Sequence, residues 1–240
     1  MEYIKLYLEK VKQKHQMKKI TLAIIGLFFF LQLTAQTEVG IRVGTNISKV
    51  SSRNGGAAGN ATALIDIALP VRIGITKGLF IMPELHFIQK GQKLNFTDIG
   101  GIESRGKYFT NYIELPVLLG YGFGASDDFF TFYGAVGPFV GYAISSRVVS
   151  NIGSGDKVRQ KVEFDNSYDG DLSKDRRIDA GLAAGAGIGL LAGPGKVTFD
   201  LRMNFDMLDA RKFQNETPNG YQGTFNFGFG IGVGYNFIIN

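Results

Sequence analysis

The chain has no cysteine and no tryptophan among its 240 residues. Without thiols there is no disulfide framework and no thiolate chemistry. That absence does not fix the compartment, because exported proteins without cysteine are common. Histidine is scarce too, with only His15 and His86. Long hydrophobic runs are lacking. The longest largely apolar stretch, Ile20 to Leu33, is about 14 residues, short of the roughly 20 that a membrane-spanning helix needs. An excess of one charge is also missing. The chain carries 26 Lys and Arg against 21 Asp and Glu, a net of +5. Six Lys and two Glu in residues 1–35 supply +4 of it. Residues 36–240 are nearly neutral, so no nucleic-acid partner is expected.

The basic start reads as a leader. Lys18 and Lys19 precede Ile20 to Leu33, and Leu33-Thr34-Ala35 resembles a small-residue cleavage site before Gln36. We assign residues 17–35 to a signal peptide, residues 1–16 to an upstream extension before Met17, and residues 37–240 to one domain. No cysteine stands beside the site, which excludes lipoprotein attachment.

Glycine is what the chain has in plenty, 33 residues. That is well above the ordinary share of about 7%. Much of it alternates with large apolar residues. From Gly223 to Asn240, Phe225, Phe227, Phe229, Ile231, Val233, Tyr235 and Phe237 occupy odd positions. Asn226, Gly228, Gly230, Gly232, Gly234 and Asn236 stand between them. A strand sends successive side chains to opposite faces, so one face is greasy and the other nearly bare. A lipid-facing strand with a crowded interior behind it has this pattern.

Seven earlier segments alternate likewise: 39–48, 62–76, 79–96, 107–123, 129–147, 178–191 and 197–208. Period two over such lengths is not helical, and most exceed the 9–11 residues of a tilted transmembrane strand. Pro70, Pro83, Pro116 and Pro138 each remove a ladder donor, which predicts bulges or ends of pairing there. The connections alternate in length. Lys77-Gly78, Gly124–Asp128 and Ala192–Gly195 are short; 50–61, 97–106, 148–177 and 210–222 are long. Outer-membrane barrels have short periplasmic turns and longer external loops. The expected fold is therefore all-β: an eight-stranded antiparallel up-and-down transmembrane β-barrel, preceded by a signal peptide helix. An even strand count puts both termini on the periplasmic side of the outer membrane.

The inward positions include Arg42, Asp66, Arg72, Glu84, His86, Lys90, Glu114, Asp179, Asp200, Arg202 and Asp206. An eight-stranded bore is just wide enough for side chains to fill. Both signs occur in similar number, and buried charges require partners. The expectation is a structural network of ion pairs rather than an ion pathway.

Few motifs suggest chemistry. His86 has Glu84 two residues away on the same face, a candidate base and carboxylate. No Ser shares that inward face. Asp165-Asn-Ser-Tyr-Asp169-Gly170-Asp171 resembles the start of a calcium loop, but Arg176 stands where the closing Glu is needed. Gly185, Gly187 and Gly189 repeat inside a strand, whereas a nucleotide fingerprint needs a turn and then a helix. No cofactor, metal site or catalytic residue is expected.

Four segments carry a family resemblance: Val39-Gly-Ile-Arg-Val-Gly-Thr-Asn-Ile-Ser48 after a leader ending Thr-Ala-Gln, Pro83-Glu-Leu-His-Phe-Ile-Gln-Lys-Gly91, Tyr112-Ile-Glu-Leu-Pro-Val117, and the closing Gly234-Tyr-Asn-Phe237. In this order the chain resembles the PorT-like family of Bacteroidetes outer-membrane β-barrels. The resemblance implies an integral outer-membrane barrel, and the family's namesake takes part in type IX secretion. It implies no catalytic residues. The tail also resembles a barrel-assembly signal, with Gly232, Tyr235 and Phe237 in the glycine and aromatic positions. Expected partners are outer-membrane lipid, the barrel-assembly machinery during insertion, and secretion-system or surface partners. The alternatives are an outer-membrane lipid-modifying enzyme using His86 and an inward carboxylate, and a soluble lipocalin-like binder.

Overall fold

Eleven strands are present among the described residues, eight of them on the alternating segments. The computed structural model describes residues 37–52, 59–97, 103–124, 128–152, 157–162, 164, 173–175, 177–209, 211–213 and 224–239. In chain order they are β1 (Thr37–Ser52), β2 (Thr62–Gly74), β3 (Leu79–Thr97), β4 (Glu103–Phe123), β5 (Phe130–Ile152), β6 (Lys157–Val162), β7 (Ser173–Asp175), β8 (Ile178–Ala192), β9 (Gly195–Asp206), β10 (Arg211–Phe213) and β11 (Thr224–Ile239). The expected signal peptide helix and the calcium-like segment lie outside the described residues.

Eight strands close an antiparallel barrel in the order β4-β3-β2-β1-β11-β9-β8-β5, with β4 pairing β5. Each neighbours its predecessor in the up-and-down path. The first and last strands form the seam, in register from Thr37↔Ile239 to Ser52↔Thr224. Closure leaves no unpaired edge, the condition for strands to cross lipid.

Burial is inverted relative to a soluble protein. Arg42, Asp66, Glu84, His86, Lys90, Glu114 and Arg202 are buried, while Ile41, Val43, Ile65, Leu115, Leu119, Phe199 and Val233 are exposed. Outside lies a belt of aliphatic residues. At the short-turn end it is edged by rings: Tyr121–Phe123 with centroids 5.0 Å apart, Phe129–Phe130 at 4.8 Å and Tyr235–Phe237 at 4.8 Å. Near the other end stand Tyr142 and the Phe205–Phe227 pair at 5.0 Å. From Phe123 to Ile113, strand rise and a tilt of about 40° give roughly 25 Å, the height of an outer-membrane apolar band.

The three short turns hold the only positive-φ glycines among the described residues: Gly78 at 83°, Gly124 at 95° and Gly193 at 63°. A side chain there would be strained, so glycine is the residue these turns require.

Two expectations are corrected. The prolines neither bulge nor end their strands. Each ladder skips two pairs, as between Val39↔Val71 and Arg42↔Ala68 beside Pro70, and resumes in the same register. The same occurs beside Pro83, Pro116 and Pro138. The one register shift among the described ladders falls at Asn111/Tyr112, away from any proline. There the extra residue, Ile144, reverses the facing of β5, so that Ser146 turns inward and is buried.

The second correction concerns the long connections. Much of 97–106 and 148–177 is ladder. β3 and β4 pair up to Thr97↔Glu103, and β4 and β5 up to Ser104↔Ile152. β6 adds to β5 from Ser146↔Val162 to Asn151↔Lys157, beyond the last β5–β8 pair, Tyr142↔Ile178. β7 pairs β10. Apolar alternation stops where the strands leave the belt, because no lipid face has to be covered there. Backbone pairing does not depend on that face and continues.

Candidate functional site

The bore is crossed by struts between opposite walls. β3 and β9 stand four places apart in the eight-strand ring. Arg202 Nη2 of β9 donates to Glu84 Oε1 of β3 at 2.5 Å. His86 Nε2 lies 2.7 Å from Glu84 Oε2 and 2.7 Å from Arg42 Nη2. One ring nitrogen cannot donate to the carboxylate and accept from the guanidinium at once, so its proton decides which bond forms. Arg42 stands 3.6 Å from Glu84 and 3.7 Å from Asp66. Asp200 lies 3.9 Å from Arg202 and accepts from the Tyr133 hydroxyl of β5.

A second group surrounds Lys90. Its ammonium lies 2.7 Å from Glu114, 2.8 Å from Asp179 and 2.6 Å from Asp206. It also lies 4.5 Å from the Phe139 ring centroid. One cation thus ties β3 to β4, β8 and β9. Asn226 Nδ2 donates to the other Asp206 oxygen at 2.8 Å.

A third group sits toward the short turns. Glu38 is 3.8 Å from Arg72 and 3.3 Å from Lys196. Arg72 also stacks 3.9 Å over Phe80. The eleven inward residues therefore fall into three clusters, with Arg72 separate from the central one.

Reading alternation alone missed several members. Glu38 and Lys196 lie one residue before the expected starts of their strands. Continuing each period by one step would have found them. Much of the apolar filling was missed as well, although Met82 and Ala135 fall on the inward period of their strands. Phe80, Met82, Leu118, Ala135, Phe139 and Ala183 form one buried cluster. Ile88, Tyr112, Ala143 and Phe164 form another. Phe164 comes from the segment after β6 and packs into the far end of the bore, with Arg177 4.7 Å over its ring. Inward Leu118 and Ile88 could not be told from outward residues by type.

Glycine makes room for the charges. A Cβ on Gly185 would collide with the Arg202 guanidinium, and one on Gly141 would sit 2.9 Å from Glu114 Cγ. On Gly232 it would lie 3.1 Å from Arg42 Cδ. Gly185, Gly187 and Gly189 are strand residues of this kind, followed by a turn and another strand rather than a helix. Among the described residues no group of three or more His, Cys, Asp or Glu side chains is placed to hold a metal ion.

On the outer wall, the upper limit of the belt is marked by a polar ladder. Gln89 Nε2 donates to Asn111 Oδ1 at 2.8 Å, and Asn111 Nδ2 donates to Ser145 Oγ at 2.6 Å. Amides and a hydroxyl that satisfy one another suit a lipid–water boundary.

Comparison with solved structures returns outer-membrane proteins of low identity. OprG from Pseudomonas aeruginosa is 14% identical with a TM-score of 0.44, covering 85% of this chain and 95% of its own. Ail, the attachment invasion locus protein of Yersinia pestis, in complex with the heparin analogue sucrose octasulfate, is 15% identical with a TM-score of 0.41, covering 84% and 99%. Neisserial surface protein A is 12% identical with a TM-score of 0.40, covering 82% and 95%. A comparison with curated proteins returns no match. The family model described as "Outer membrane protein beta-barrel domain" matches residues 30–207. With a closed eight-stranded wall, an apolar belt outside and charges within, the chain belongs to this family of outer-membrane β-barrels.

Proposed function

We propose that this outer-membrane barrel is non-enzymatic and acts through the end where β3, β4, β5 and β6 rise beyond the belt. Its termini face the periplasm. Its role is structural, surface-interacting or accessory to protein secretion, in the manner of the PorT-like barrels of Bacteroidetes that the sequence resembles. One observation carries the reading: struts such as Arg202–Glu84 and Lys90–Asp206 occupy the bore. A filled bore offers no conduit, which leaves the projecting strands as the surface for work. Lipid is the partner of the belt. Gly232, Tyr235 and Phe237 on β11 support recognition by the barrel-assembly machinery.

The enzymatic alternative draws on His86. The residue is 2% exposed, and inside the bore its Nε2 meets Glu84 of the same strand and Arg42 of β1. Lipid outside the wall is not its neighbour. A soluble binder would not leave a continuous belt of apolar side chains outside, as this chain does.

Lipid A mass spectrometry tests the reading on cells that make the wild type, His86→Gln, or no protein. Identical spectra are expected. A modified lipid that appears only with the wild type would contradict it.

A further inference from the structure

Above the polar ladder, the outward face of the extension is basic. Three register rows cross it: Gly91–Phe109–Arg147–Lys161, Lys93–Lys107–Val149–Arg159 and Asn95–Arg105–Asn151–Lys157. Paired residues share a face, so seven cations stand together. No Asp or Glu occupies any of these rows. Lys93, Arg105, Arg147, Lys157, Arg159 and Lys161 are exposed. Lys107 alone is turned aside, donating to the Ala63 carbonyl at 3.2 Å. A groove of about 460 Å³ opens between Lys93, Arg105, Lys107 and Lys157.

Lys93 lies directly opposite Lys107. Like charges in that position destabilise a sheet, so folding alone gives no reason for the arrangement. Its height supplies one. The face continues the lipid-facing side of the same strands. Strand rise and tilt place its rows about 10 to 20 Å above the Ile113–Tyr142 row. The lowest rows meet the headgroup layer, and the upper ones stand just outside it.

We infer that the basic outward face of β3–β6 binds the phosphate groups of the glycolipid in the outer leaflet. The inference rests on the orientation proposed above. It adds a ligand class and a site that the filled bore does not supply. Continuity with the belt favours a membrane lipid over a soluble polyanion, because the face begins where the acyl chains end.

The test uses the full chain in detergent micelles and labelled phosphorylated lipid A. The variant combines Lys93→Gln, Arg105→Gln, Lys157→Gln and Arg159→Gln. Lys77→Gln, at the opposite end, is the control. Retained heat-modifiable mobility establishes that each variant is folded. Each cation removed should weaken binding about five-fold, so the four together should weaken it several hundred-fold, and the control none. Dephosphorylated lipid A should bind no better to the wild type than phosphorylated lipid A binds to the combined variant. Equal binding of the two lipids by the wild type would overturn the inference. So would a combined variant that loses heparin but keeps phosphorylated lipid A, which would assign the face to a soluble polyanion.

Orientation is tested separately. The chain has no cysteine, so Arg159→Cys carries a unique thiol. Labelling by an impermeant maleimide on intact cells is expected. Labelling only after permeabilisation would overturn the proposed orientation, and the leaflet with it. Labelled cells combined with phosphate-independent binding would overturn this inference alone.

Discussion

At the scale of single residues, the bore is held by charges that cannot lose their partners cheaply. Lys90 is the cation of a group with three carboxylates, all in contact with it. Lys90→Met leaves those carboxylates facing one another out of water. We expect a loss of about 3–5 kcal/mol, the range for breaking a buried pair from one side, read as a lower urea midpoint of the refolded barrel. Glycines set the second constraint. Gly185→Ala drives a methyl group into Arg202 and should displace it from Glu84, costing about 1–3 kcal/mol. Gly134→Ala has nothing nearer than a carbonyl at 4.0 Å and should stay within about 0.5 kcal/mol. The same urea titration checks both. That many inward positions are charged or glycine was legible in the sequence, since period two sorts them from the outward row. Which charges meet was not. Pairs such as Arg202 with Glu84 are set by the tilt that brings opposite strands level, and no local pattern encodes that.

At the scale of elements, the number and order of barrel strands could be read directly, because each must present an unbroken apolar row to lipid. The extension could not. Segments 97–106 and 148–177 carry no apolar alternation, so Arg105, Asn151 and Lys157 read as loop although their backbones pair, as Asn95↔Arg105 and Asn151↔Lys157. These rows lie beyond the belt and add little to its closure. Replacing residues 94–106 by Asn-Gly joins Lys93 to its partner Lys107 through a hairpin turn. The trimmed chain should fold and keep its heat-modifiable mobility. Failure to fold would make the extension part of the barrel's own stability. In secreting cells, the surface-protein profile should change with this trimming although the barrel remains intact.

At the scale of the whole molecule, a closed wall with apolar residues outside and ion pairs inside is stable only where lipid covers the outside. The charges tie opposite strands together, and the projecting sheet is the surface proposed to meet what lies beyond the membrane. The central claim is the lipid-embedded closed barrel, and one measurement addresses it most directly. Outer-membrane fractions containing the chain are run in detergent electrophoresis with and without boiling. The account predicts that the protein is in the membrane fraction and that the unboiled band migrates differently from the boiled one. A single mobility in both samples, with the protein in the soluble fraction, would contradict it.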